Sequence, residues 1–514
     1  MKVCETSDTT LVYLKQAYPA YDEGNRLLKT VVYPDTIEFA YWDTGPVREI
    51  TYPNDLREQY WLTSRNLIDS MQTFDQVLND RVFKFDYCYN PLTDRDTLRF
   101  KIFRPFSNPL MGVCKYSYDD IKRITGLQTV IIDDEVPLPE VYTYDPVGNR
   151  LTWREGSTTT YYTYNEQTNQ LMNAGPVNYI YDHNGNVTSK NSMIGGVDYS
   201  FDWDNENRLV KVRTFDTSVG DSLGFNYCGL GKRIRKIHYN SDDTTRYTYD
   251  GMYVASEFGN NDSMLSAYIY ANGLLFARYD FSGEKNYYHH DALGSIVGLT
   301  DTNGDVVQSY CYDEFGNLEN SWGDIENHYL YNGQEYDYEI EGTELYNLRA
   351  RYYDPGIGRF ISEDLMLQSG LILGPQCPSC VLLTPEFAPN SFNAYVYVSN
   401  NPVNFDDPTG MFIVTSPSLI CLVKVYQSWI NSGGQHDKFR HCFLGCTIFR
   451  YCGPAYCFAA GPLKELIDWV KRIFGKDEIV ELSDVKATMD GCACGLKLSE
   501  NCDYCCECLM KHQP

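Results

Sequence analysis

Near the C-terminal end of this 514-residue chain, His441, Glu465, Asp468 and Asp484 are side chains whose types suit either metal binding or proton transfer. Asp437 and His441 stand four apart, and Glu465 and Asp468 three apart, so each pair shares one face of a helix. An imidazole with carboxylates from adjoining helices can hold a divalent cation or move protons. The same charges can equally tie helices together as buried pairs, or lie on a solvated face. No metal and no cofactor is assigned to them.

The elements expected to carry this set are helical. Residues 437–449 read as one helix and 462–474 as a second, with Pro462 in its first turn and Gly475 as its C-terminal cap. Ser483-Asp484 is a candidate start for a third. Eleven of the chain's 18 cysteines lie between Cys421 and Cys508, a density that suggests disulfide staples in an oxidising setting. Cys502-x2-Cys505 with Cys506 and Cys508 has metal-like spacing, but no second well-spaced pair completes a zinc set. The apolar stretch 443–463 contains Arg450 together with Gly and Pro, and is poorly suited to span a bilayer.

This tail is foreign to what precedes it. From Phe412 onward basic and acidic residues balance at 11 each, so the whole net charge of −26 belongs to the preceding segment. An acidic shell disfavours nucleic acid and anionic membranes as partners. With 44 Tyr, 38 Gly and 22% charged residues, the composition is that of a β-rich protein of several domains. No apolar core of signal-peptide length is present between Met1 and Tyr18, which points either to a fragment of a longer precursor or to export by dedicated machinery.

Upstream of the tail one phrase returns about every twenty residues, a period that signals repeat architecture. Its clearest copy is Tyr142-x-Tyr144-Asp145-x-x-Gly148-Asn149-Arg150-Leu151. Others run from Tyr162, Tyr179, Phe201, Phe225, Tyr247, Tyr268 and Tyr310, and Tyr21-Asp22 with Gly24-Asn25-Arg26-Leu27 extends the pattern almost to the start. Aromatics at i and i+2 share one face of a strand. Asp bonds nearby backbone N–H groups while Gly and Asn tolerate positive φ, so each phrase predicts a hairpin. One hairpin cannot bury its own tyrosine face, so neighbours must stack. A propeller has a period nearer forty; a continuous spiral of hairpins fits better.

After the last repeats come Gly333-Gln334-Glu335-Tyr336-Asp337, then Leu345-Tyr346-Asn347-Leu348-Arg349-Ala350-Arg351-Tyr352-Tyr353-Asp354-Pro355 and Gly358-Arg359-Phe360-Ile361-Ser362-Glu363-Asp364. Asn393 to Asn404 and Asp407-Pro408-Thr409-Gly410-Met411 complete the run. This strongly resembles the repeat-associated core of the RHS/YD-repeat proteins. The resemblance implies a mainly β fold in which repeats spiral into a shell, a core domain plugs one end, and a variable C-terminal polypeptide is carried inside. The expected division is residues 1–285 for the repeats, 286–411 for the core, and 412–514 for a small helical, Cys-rich C-terminal domain.

The resemblance also implies self-cleavage at the end of a Pro-x4-Asp-Pro-x-Gly-Leu motif, here Pro402, Asp407, Pro408 and Gly410 with Met411 where Leu is usual, followed by Phe412. The catalytic residues it implies are Arg351, Asp364 and Asp407. Two carboxylates held close cannot both ionise, so one can act as acid while the other activates water. A guanidinium fork can steady a carboxylate or an oxyanion. Two departures stand out: Leu365 follows Asp364 where Pro is usual, and residues 365–392, holding Cys377-x2-Cys380, are an insertion before the motif. Arg359 and Glu363 read as structural.

Two functions follow as expectations. The first is a secreted or envelope-located precursor whose tail is its own enclosed cargo, an effector or toxin released after Met411, with an immunity protein and secretion machinery as partners. The second is a surface adhesin that presents its tyrosine faces to carbohydrate, capped by the Cys-rich tail.

Overall fold

The computed structural model describes residues 20–364, apart from 24–25, 33–34, 78–79, 133–135, 216–219 and 281, together with 393–411 and 414–415. The expected helical Cys-rich domain, with His441, Glu465, Asp468, Asp484 and all eleven tail cysteines, lies outside the described residues, as do Phe412 and the Cys377-x2-Cys380 insertion. Cys88, Cys114, Cys228 and Cys311 are free thiols, and no disulfide occurs among the described residues.

The described chain is mainly β, as the repeats predict. Twenty-eight strands, from Ala20–Tyr21 to Leu318–Gly323, form one meandering sheet in which each strand pairs antiparallel with the next. Each unit has the same local cause. In the turns at Asp145, Asp182, Asp204 and Asp313, carboxylate Oδ1 accepts the main-chain N–H groups at i+2 and i+4. Oδ2 takes the Asn or Arg side chain at i+4. The first aromatic of a unit points inward and is buried, as at Tyr142, Tyr162, Tyr179, Phe201, Phe225 and Tyr247.

The second aromatic does something that alternation alone does not predict. A bulge falls immediately before it in every one of these units, between Thr143 and Tyr144, Thr163 and Tyr164, Ile180 and Tyr181, Asp202 and Trp203, Asn226 and Tyr227, and Thr248 and Tyr249. A bulge re-aims a side chain. Here several of these rings are aimed at the preceding unit: Tyr164, Tyr227 and Tyr249 donate their hydroxyls to the carbonyls of Arg150, Leu209 and Arg233 at 2.8, 2.7 and 2.6 Å, and the Trp203 indole N–H reaches the Val187 carbonyl at 2.7 Å. Each unit is thereby stapled to the one before it.

The inner face is covered by the chain itself. Tyr162, Tyr179, Phe201 and Phe225 pack under Ile340, Leu345, Tyr352, Ile357 and Ile361. Tyr247, Tyr268, Tyr288 and Tyr310 pack under Tyr329, Tyr346, Tyr353, Tyr397 and Phe405. The two ends of the sheet also meet: Phe39 stands edge-on to Phe276 at 5.4 Å, and the Tyr52 hydroxyl donates to the Tyr288 carbonyl at 3.1 Å. At Gly298 a Cβ would lie 2.4 Å from the Phe83 ring, so only glycine lets the two layers close.

The covering segment is irregular. Four short antiparallel strands, Glu335–Asp337, Leu345–Asn347, Tyr352–Asp354 and Arg359–Phe360, form its sheet. A buried ionic cluster ties it to the wall, with Asp337 accepting from Arg233 Nη2 at 3.1 Å and Lys236 Nζ at 3.2 Å. Among the described residues no helix is long and apolar enough to cross a membrane.

Candidate functional site

Arg351 lies one residue before the strand Tyr352–Asp354, and its side chain is buried over the Phe360 ring, 3.5 Å from the centroid. A flat guanidinium stacks on an aromatic face while its edge stays free for in-plane donation. That edge is fully used. Nη2 lies 3.2 Å from Asp364 Oδ2 and 3.6 Å from Asp407 Oδ2, so both acids share one nitrogen. Nη1 donates to the Ala394 carbonyl at 3.1 Å, and Nε donates to the Gly410 carbonyl. Burial pulls the guanidinium below its ordinary value, while Asp364 and then Asp407 pull it back up.

The three residues named from the resemblance are thus brought together although 13 and 56 residues separate them from Arg351 to Asp364 and Arg351 to Asp407. The insertion does not keep them apart. The Asp364 N–H donates to the Ala394 carbonyl at 3.1 Å, so the two described flanks of the insertion lie together. Closure entropy grows slowly with loop length, so the length of the insertion adds little to the cost of joining those flanks.

Asp407 also holds the end of its own motif. Its Oδ1 accepts the Met411 N–H at 3.0 Å and the Thr409 N–H and hydroxyl, each at 3.3 Å. Gly410 sits at φ +69°, and a Cβ there would lie 2.6 Å from the Leu348 carbonyl oxygen and 3.0 Å from the Arg351 nitrogen. The glycine of the motif is therefore what allows the chain to lie against Arg351. Beyond Met411 the backbone returns, with Val414 opposite Asp406 and Thr415 opposite Phe405. Pro402 is buried and Pro408 half-buried, and both fix the approach to this turn.

This arrangement has the parts for hydrolysing a peptide bond: two carboxylates on one cation, an arginine gripping the carbonyl one residue before Met411, and a carboxylate on the Met411 N–H. Sequence reasoning missed two neighbours. Asp406 is buried, and its carboxyl is pushed well above the ordinary range by burial and by Asp407. The other is a wall contact made by Arg95, Tyr118 and Asn404. No period or motif marks Asp406 or Arg95, although Asn404 stands in the run that carries the resemblance. Arg359, read as structural, bonds Asn149 Oδ1 at 3.0 Å and the Asn169 carbonyl at 2.7 Å, and Glu363 accepts the Tyr395 hydroxyl at 3.1 Å. No cluster of His, Cys, Asp and Glu among the described residues has the arrangement of a metal site.

Fold and repeat define a YD-repeat shell protein of the RHS class. The Teneurin YD-shell family model matches residues 110–403, and the chain belongs to that family. It is 32% identical over 285 residues to the tRNA nuclease WapA of Bacillus subtilis strain 168, an alignment covering 53% of this chain and 11% of that protein. It is 23% identical over 424 residues to mouse teneurin-4, covering 80% of this chain and 13% of that one. Among solved structures the TcdB2–TccC3–Cdc42 crystal structure superposes with a TM-score of 0.60 at 18% identity, over 76% of this chain and 20% of that chain. The chain thus spans only about a tenth of the length of these two relatives.

Proposed function

We propose that this protein is an encapsulating precursor that cuts itself between Met411 and Phe412 and thereby frees residues 412–514 as an effector from a shell formed by the preceding chain. The observation that supports this best is the meeting of Arg351, Asp364 and Asp407 on the backbone of Gly410 and Met411. In this reading one aspartate takes a proton from water as the water attacks the Met411 carbonyl. The other gives a proton to the departing amine of Phe412. Arg351 steadies the acid pair and fixes the Gly410 carbonyl, and the tether supplies the bond at high effective concentration. One turnover suffices.

The relatives support a toxin-carrying role, one of them being named as a tRNA nuclease. In this proposal residues 1–285 are wall, 286–411 core, and 412–514 cargo whose own chemistry, including His441, Glu465, Asp468 and Asp484, acts after release. A secreted or envelope location goes with it. The alternative of a sugar-binding adhesin draws no support from the tyrosine faces, because the first aromatic of each unit is buried under the chain's own segments.

Denaturing electrophoresis of freshly made full-length protein tests the proposal. The expected result is two fragments, the smaller with Phe412 at its N-terminus, and one full-length band for Asp364→Asn or Asp407→Asn. Wild type that stays whole on prolonged incubation overturns it.

A further inference from the structure

The cleavage motif is held from behind by the wall, and the holding residue is far from it in sequence. Arg95 opens the strand Arg95–Arg104 and is 6% exposed. Its main-chain N–H donates to Asn404 Oδ1 at 2.8 Å, and its Nη1 donates to the Val403 carbonyl at 2.9 Å. The Tyr118 hydroxyl donates to the Arg95 carbonyl at 2.5 Å and accepts from Asn404 Nδ2 at 3.0 Å. Arg95, Asn404 and Tyr118 thus close a ring of hydrogen bonds three residues before Asp407. Val403 is buried beside Ile124, Tyr142 and Phe315, which blocks the segment from sliding off this contact.

The guanidinium that makes the bond is itself placed by the overlapping ends of the sheet. It lies over the Tyr87 ring at 4.5 Å, and the Tyr87 hydroxyl accepts the Ala292 N–H at 3.2 Å. Arg95 therefore reaches Val403 in this pose only when the wall strands carrying Tyr87, Arg95 and Tyr118 have closed against the strands near residue 292. Arg95 and Tyr87 lie before residue 110, where the family match begins.

We infer that Arg95 is a positioning residue for the scission, and that with Tyr118 and Asn404 it makes cutting conditional on closure of the wall. The physical ground is that Asn404 and Asp407 are joined by a short extended strand, Phe405–Asp406, so a displacement at the first is passed to the second. A shift of about 1 Å in a reacting group costs on the order of 100-fold in rate. The inference rests on the self-cleavage reading and adds the condition under which it runs.

The test follows the time course of fragment release from full-length wild type, Arg95→Met, Arg95→Lys, Asn404→Leu and the Arg95→Met/Asn404→Leu double variant. Thermal unfolding of each is measured on the uncut Asp364→Asn background. The expected outcome is release slowed roughly 10- to 100-fold in Arg95→Met. Arg95→Lys should recover part of that rate, because an ammonium still reaches the Val403 carbonyl. The double variant should be slowed by less than the product of the two single effects, since the Arg95 guanidinium and the Asn404 amide hold adjacent residues of one segment through neighbouring contacts. Arg95→Met cutting at the wild-type rate overturns the inference, as does slowing matched by lost thermal stability with Lys no better than Met. Both outcomes leave the self-cleavage reading intact, whereas an uncut wild type defeats that reading and this one together.

Discussion

The wall and the segment that covers it solve the same problem by opposite means. In the wall one local device is copied, an Asp-centred turn, a bulge and an aromatic that staples its unit to the one before. In residues 329–411 almost nothing repeats, and position is set by individual buried polar groups such as Arg351, Arg359, Asp337 and Asn393. The wall spreads its stability over many equivalent contacts, so each is worth little. The covering segment concentrates it, so single changes there should be severe, and chemistry is placed where geometry is least tolerant.

That contrast can be broken most sharply at the acids. Asp364→Asn or Asp407→Asn should lower fragment release by at least about 1000-fold, as expected when one member of a cooperating catalytic set is removed. A loss of less than about tenfold in either would show that the pair does not act as a unit. Arg233→Met comes next, since it strips Asp337 of one of two cations in a buried cluster. Breaking a buried pair from one side costs about 3–5 kcal/mol. Urea unfolding should show it, and a cost below about 1 kcal/mol would place the cluster among ordinary surface pairs.

The overlapping ends of the wall give a pH test. His290 is buried, and burial pulls the imidazole down to about 4, with Glu58 pulling up and His289 down. An unfolded chain takes up this proton near pH 6.5, before the folded one does. The stability is thus whole above pH 6.5 and is lost as pH falls toward 4, by about 1–3 kcal/mol in total. Asp313, raised to about 6 by burial, works in the opposite sense as pH rises from 3.8 to 6. The comparison is therefore between wild type and His290→Gln, in which the acid loss should shrink; equal slopes for the two would remove His290 as its cause.

The smallest effect belongs to the staples. Tyr164→Phe, Tyr227→Phe and Tyr249→Phe should each cost about 1 kcal/mol, the worth of one hydrogen bond. Near-equal values would sharpen the picture of interchangeable units. Tyr161, which is exposed, supplies the control, and Tyr161→Phe should leave the unfolding midpoint unchanged.

The sequence showed the wall because its physics is periodic: Tyr142, Asp145 and Gly148 recur at fixed offsets, and strand, turn and return follow from residue type. The bulge before Tyr144 was not legible, because it arises from pairing with the returning strand rather than from any residue in the phrase. Arg351, Asp364 and Asp407 could be named only through a resemblance, since no local pattern links positions brought together by the folding of the covering segment. Asp406 and Arg95 had not even that. Their roles come from burial and from a contact that joins residues 95 and 404, neither of which leaves a mark on nearby sequence.

The most direct test of the central claim is the N-terminal residue of the small fragment released by wild-type protein, read alongside the Asp407→Asn variant under the same conditions. The account predicts a single new N-terminus at Phe412 in wild type and none in the variant. A different N-terminus, or the same fragment from Asp407→Asn, would contradict it.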